Sequence, residues 1–105
     1  MIQQIRAQEL KRRLDAAEPT LVVDVRQPWE HEVAAIPGSV LVPLHELQAR
    51  LEEVAPAPGA LVVVYCHHGM RSLSGAALLA QHGAVSLLGG IDAWSLQVDP
   101  SVPRY

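Results

Sequence analysis

Apolar residues along this chain switch between helical spacing and short continuous runs, and each switch marks an element. Ala7, Leu10, Leu14 and Ala17 recur at helical spacing, with Lys11, Arg12 and Arg13 largely off the stripe. That pattern predicts an amphipathic first helix that stops before Pro19. Leu21-Val22-Val23-Asp24-Val25 follows as a strand, and Val40-Leu41-Val42 reads as a short one. Leu44, Leu47, Leu51 and Val54 mark another helix, and Pro56-Ala57-Pro58-Gly59 breaks the chain before Leu61-Val62-Val63-Val64-Tyr65. An aliphatic run of the last kind predicts a strand buried on both faces of a parallel sheet. Beyond it, Leu73, Ala76, Ala77 and Ala80 line one helix face, Gly83 is placed as a C-terminal cap, and Val85 to Leu88 reads as the last strand. Gly89-Gly90 allows a tight turn into a closing helix, in which Trp94 is a packing residue.

Strands alternating with short helices argue for an α/β domain whose parallel sheet is covered on both faces. The 105 residues, half of them hydrophobic, are material for one domain over 1–105. A formal charge of -3 gives no overall basic field, so neither nucleic acid nor an anionic membrane is the expected partner, and any anion binding is local. Met1-Ile2-Gln3-Gln4-Ile5-Arg6 contains no apolar segment of the signal-peptide kind, and no later run approaches the length of a membrane span. The expected compartment is the cytosol. A single cysteine allows no internal disulfide and supplies no resolving thiol, which suits a reducing environment.

That cysteine, Cys66, stands where the buried run meets the loop His67-His68-Gly69-Met70-Arg71-Ser72. Ligands collect at the carboxyl ends of strands in parallel sheets, so the thiol is placed for chemistry. The chain turns into a helix near Ser72, whose unpaired N–H groups and positive dipole end point back toward the sulfur, and Arg71 adds a guanidinium. Both devices favour the thiolate, the nucleophilic form of the side chain. Gly69 permits the backbone angles with which successive amides turn inward around one atom. Such a cradle would hold a thiolate, and equally a persulfide anion one atom longer.

Four ordered segments carry a family likeness: Leu21-Val22-Val23-Asp24-Val25-Arg26, Ile36-Pro37-Gly38-Ser39, Cys66-His67-His68-Gly69-Met70-Arg71-Ser72 and Gly89-Gly90-Ile91-Asp92-Ala93-Trp94. In these the chain resembles a single rhodanese domain across nearly its whole length. The resemblance implies an α/β, three-layer domain with a central five-stranded, mainly parallel sheet flanked by helices. It implies a catalytic Cys66 that accepts a sulfane sulfur as a persulfide and passes it on, without a cofactor. The implied donor is a small sulfur-containing anion such as thiosulfate, and the implied acceptor is cyanide, a thiol or a protein. Phosphatases and arsenate reductases related to this fold use a wider Cys-x5-Arg loop, whereas Arg71 here comes one position too early. Reading Ser72 as the seventh loop residue restores the length but removes the guanidinium, so phosphoryl or arsenate chemistry is the weaker enzymatic reading. A binding module or sulfur relay acting on a partner protein is the alternative of another class.

The remaining candidates divide by role. His67, His68, Gly69, Met70, Arg71 and Ser72 form the expected substrate-binding loop, with Arg71 gripping an anionic donor and Met70 at an apolar rim. His67 and His68 adjoin Cys66, but three consecutive side chains on a tight loop cannot readily surround one ion, and no metal is expected. Arg26 is expected to act structurally, as an ion pair or loop anchor, with Asp24 nearer the catalytic loop as a supporting residue. Glu30, His31 and Glu32 read as a solvated helix face. The tail from Val98 to Tyr105 is proline-interrupted and extended, with its role open.

Overall fold

A computed structural model describes residues 2–105. Five strands, β1 (Gln4–Ile5), β2 (Thr20–Asp24), β3 (Val40–Leu41), β4 (Leu61–Tyr65) and β5 (Val85–Leu87), form one sheet in the order β1-β5-β4-β2-β3. Every pairing is parallel, with Asp24 level with Tyr65 between β2 and β4, and Val64 level with Ser86 between β4 and β5. The helices are α1 (Ala7–Asp15), α2 (Pro28–Val33), α3 (Leu44–Leu47), α4 (Arg71–Leu78) and α5 (Gly90–Gln97). The edge strand β1 was not legible in the pattern, because two residues are too few to show a period.

Alternation along the central strands sends side chains into two separate cores. Val22, Val63 and Tyr65 join Ala7, Leu10, Ile91 and Trp94 under α1 and α5. Val23, Val25, Val62, Val64 and Cys66 join Leu47, Ala76 and Leu79 under α3 and α4. A strand buried on both faces has no polar side to alternate with, and this is why β4 reads as an unbroken aliphatic run. At about 25 cal/mol per Å2 of apolar surface, each fully buried Val or Leu contributes roughly 1.5–3 kcal/mol, so β4 is the main brace for whatever follows it.

Three local expectations are corrected. Helix α1 ends at Asp15, and Ala17 lies beyond it at φ 56°, exposed and left-handed rather than on the helical stripe. The helix expected from Leu44 to Val54 is only one turn of α-helix, continuing over Gln48–Glu53 as 3-10 turns broken at Arg50. The face that α4 buries is Ser72, Gly75, Ala76 and Leu79, while Ala77 and Ala80 are exposed. Gly75 sets that rotation: a Cβ there would come within 3.0 Å of Val64 and 3.1 Å of Val25, so the bare backbone seats the helix on the sheet. Gly83, at φ 66°, closes the 3-10 turn Ala80–His82 that follows α4. No helix among the described residues is long and apolar enough to cross a membrane.

Candidate active site

The carboxyl ends of β2, β4 and β5 converge on one edge of the sheet, and the chain leaving β4 there is Cys66. Because Tyr65 points to the α1/α5 face, Cys66 falls on the opposite face, against the start of α4. Its thiol is buried, and its Sγ accepts N–H bonds from Gly69 at 3.1 Å and Ser72 at 3.3 Å. Ser72 Oγ lies 3.5 Å from Sγ and 2.7 Å from Ser86 Oγ, a buried polar pair beneath the sulfur. A charge that forms on Sγ therefore meets oriented donors that need no movement. Gly69 sits at φ 103°, the left-handed region that turns its amide inward, and a Cβ would lie 3.2 Å from the Gly89 nitrogen.

The turn after β5 holds the loop from the other side. The amides of Ile91 and Asp92 donate to the carbonyls of Cys66 and His67, at 2.9 and 3.1 Å, which satisfies two of the free N–H groups of the first turn of α5. Gly90, at φ 62°, has no room for a side chain, since a Cβ would strike those same two carbonyl oxygens. The Ile36–Ser39 segment is tied in through Tyr65, whose hydroxyl accepts from the Ile36 amide at 3.2 Å and bonds Ser39 Oγ at 2.8 Å.

Around the mouth, side chains from distant parts of the chain form a charged collar. Arg71 is the first residue of α4, and both of its terminal nitrogens donate to Glu30, at 2.7 and 2.9 Å. Glu30 also accepts from the Gln27 amide at 2.9 Å and from the Tyr105 hydroxyl at 2.7 Å. The Arg71 guanidinium, followed by these hydrogen bonds, holds the Glu30 carboxyl down at about 2 despite burial. Asp24 and Arg26 are both fully buried and paired, with Arg26 Nε and Nη2 donating at 2.9 and 2.7 Å. Arg26 also donates to the Tyr105 hydroxyl at 2.7 Å, and His31 Nδ1 lies 2.8 Å from Asp24 Oδ2. Tyr105 then lays its ring on His67, with centroids 4.0 Å apart and planes at 10°, and His67 stacks in turn on His68. Burial, followed by the adjacent His68, lowers the His67 pKa and favours its neutral form.

These contacts revise the sequence reading at several residues. Glu30 is buried and paired rather than part of a solvated face, and His31 is turned inward to Asp24. Arg71 is engaged by Glu30 through both terminal nitrogens, which occupies two of its five N–H groups. Arg26 is fully buried and paired with Asp24, and the tail is docked, with Val102 in the core and Tyr105 at the mouth. Glu30 carried a faint signal, the capping-box spacing from Gln27 to Glu30; Ser86 carried another, a lone polar residue inside a buried strand. Nothing local pointed to Tyr105.

One group among the described residues brings metal-binding atoms together: His67, His68 and Asp92 each offer one within 4.8 Å of the others. Asp92 joins the histidine pair only through the fold. It is already engaged by Arg104 at 2.9 Å, and the two imidazoles are stacked at 22°, so their in-plane lone pairs run side by side rather than converge on one ion.

The geometry has relatives. A family model described as the rhodanese-like domain matches residues 6–97. The chain belongs to the rhodanese-like family. This rhodanese-like chain is 36% identical over 98 residues to a sulfurtransferase of Allochromatium vinosum, an alignment covering 90% of each. It is 33% identical to the adenylyltransferase and sulfurtransferase MOCS3-1 of Zea mays, with 96% of the chain aligned but only 23% of that much longer protein spanned. Its fold superposes on a rhodanese-related protein from Thermoplasma volcanium with a TM-score of 0.81, at 30% identity, covering 98% of this chain and 99% of the other.

Proposed function

We propose that this protein is a sulfurtransferase in which Cys66 alternates between thiolate and persulfide. The observation that carries the reading is the environment of Sγ: buried at the carboxyl end of β4 and met by the amides of Gly69 and Ser72. In the first step the Cys66 thiolate attacks the sulfane sulfur of a donor. With thiosulfate, the donor's S–S bond breaks, its electron pair leaves on sulfite, and a new S–S bond joins Cys66. In the second step an acceptor, cyanide or a thiolate, attacks the outer sulfur, takes it as thiocyanate or a persulfide, and returns the electron pair to Cys66. The amides of Gly69 and Ser72 stabilise the sulfur charge at both stages. The remaining loop residues, His67, His68, Met70 and Arg71, form the rim that donor and acceptor cross, and Asp24 with Arg26 braces the loop from β2.

A protein acceptor is favoured by one observation in particular. Met70, at the tip of the loop, is 76% exposed, and Trp29 and Leu88 are exposed on α2 and beyond β5. Flexible and aromatic apolar side chains displayed beside a reactive atom suit contact with another macromolecule.

The test is direct. Incubation with a sulfane-sulfur donor, thiosulfate first, should add the mass of one sulfur to the intact protein, and added cyanide or thiol should remove it. Cys66→Ser should cut loading by at least about a thousandfold. Failure of every donor to load the protein, or equal loading of Cys66→Ser, would sink the proposal.

A further inference from the structure

The cations around Cys66 are matched by carboxylates. Arg71 is held by Glu30, Arg26 by Asp24 and Arg104 by Asp92, each with a closest approach under 3.0 Å. Arg6 has no such partner among the described residues, but it follows β1 and lines a cavity with His68, Leu88 and Gly89, on the opposite side of β4 from the Glu30–Arg71 pair that follows β2. The pair at the mouth is not a loose surface contact. The Glu30 side chain is 4% exposed and is fixed by four hydrogen bonds, two from Arg71, one from the Gln27 amide and one from Tyr105. Arg71 itself is 37% exposed, so its guanidinium is open to the mouth. On the β2 side of the mouth an incoming anion thus meets a neutralised pair and two backbone dipoles, not a free cation.

We propose that the Glu30–Arg71 pair is a charge filter: with its arginine committed to a buried carboxylate, the site takes sulfane-sulfur donors of single or no charge in preference to dianionic ones. The inference rests on the sulfurtransferase reading and narrows its donor class. The thiolate repels a dianion more strongly than a monoanion, and only a nearby uncompensated cation offsets that difference. Thiosulfate is then a poor donor for a physical reason, while a hydropersulfide, a monoanionic thiosulfonate or a persulfide carried on a protein meets no such barrier.

Thiosulfate and methanethiosulfonate separate charge from chemistry. Both present a sulfane sulfur bonded to an oxidised sulfur, and they carry two negative charges and one. With methanethiosulfonate the Cys66 thiolate gains the sulfane sulfur as a persulfide, and the electron pair of the broken S–S bond leaves on methanesulfinate. The Cys66 sulfur is formally oxidised and the sulfonyl sulfur reduced, with charge balanced and no added reductant. In Glu30→Gln the amide keeps the shape but turns an N–H toward one arm of Arg71, which frees the guanidinium. Rates of persulfide loading, read by intact mass, should then rise about tenfold for thiosulfate relative to methanethiosulfonate. In the wild-type protein, loading by thiosulfate should rise between about 20 and 300 mM salt, as screening relieves the thiolate–dianion repulsion, and in Glu30→Gln it should fall with salt.

Parallel changes for both donors in Glu30→Gln would overturn the filter and leave sulfur transfer standing. If Glu30→Gln does not fold, the wild-type salt series decides alone: a rate that is flat or falls with salt identifies an offsetting cation and overturns the proposal, and a rate that rises with salt upholds it. Absence of loading from either donor in the wild-type protein would overturn the sulfurtransferase reading and the filter with it.

Discussion

The loop that holds Cys66 and the collar that surrounds it are built by opposite means. In the loop, the N–H donors to the sulfur come from three and six residues away and are backbone amides. In the collar the contacts are between side chains, and they span 41 residues from Glu30 to Arg71, 75 from Glu30 to Tyr105 and 79 from Arg26 to Tyr105. A backbone device depends on spacing and on glycine, and these can be read along a chain. A side-chain device depends on which strand ends the sheet brings together. Nucleophile and cradle are thus written locally, while the electrostatic setting that selects a donor belongs to the fold.

Removing one collar cation should show how much of the fold is committed there. Arg26→Met leaves Asp24 fully buried with His31 as its remaining side-chain partner. Stranding one member of a buried ion pair costs about 3–5 kcal/mol, because the other charge stays desolvated and unpaired. Urea unfolding of wild type and Arg26→Met should differ by that amount. A difference below about 1 kcal/mol would mean that the collar ornaments the site rather than braces it.

The matching test on the loop is Gly90→Ala. A methyl group at Gly90 meets the carbonyls of Cys66 and His67, both part of backbone that cannot swing aside, and φ 62° adds strain for any L side chain. A cost of about 2–4 kcal/mol in urea unfolding is expected. The displaced loop should also load sulfur on the order of a hundredfold more slowly, since a shift of about 1 Å in a reacting group has that effect. Normal loading in a destabilised Gly90→Ala would show that the loop is held from within, by Gly69 and Ser72, rather than by the turn after β5.

Legibility followed the same division. The continuous run of β4, the cysteine at its end, the left-handed Gly69 and the helix start were all visible as spacing. The rotation of α4 was missed because a glycine at a buried contact carries no hydrophobic signal, although Gly75 decides which face packs. Edge strand β1 was missed because it gains its identity only by pairing with β5. Glu30 was read as solvated because charged residues on a short helix ordinarily are, and only the partner 41 residues away reverses that. Tyr105 had the least signal, since a residue near a chain end with no periodic neighbours gives no clue to where it docks.

Acid unfolding offers the finest cut between loop and collar, because it addresses the Glu30 carboxylate alone. Glu30 titrates at about 2 in the folded protein against an ordinary value of 4.5, held down first by Arg71. A depressed carboxyl pKa adds stability that is fully present above about 4.5 and is lost as pH falls toward 2, where the unfolded chain binds the proton first. The shift sets a ceiling of about 3 kcal/mol, and screening at the 37%-exposed guanidinium reduces the expectation to about 2. Urea midpoints of wild type and Glu30→Gln at pH 5.5 and pH 2.5 isolate this contribution, since the other carboxyls cancel between the two proteins. The advantage of wild type should shrink by about 2 kcal/mol on acidification. An advantage that is the same at both pH values would mean that Arg71 is not held by the carboxylate charge. The collar would then be a matter of shape, and the cation beside Cys66 would be free to greet a dianion.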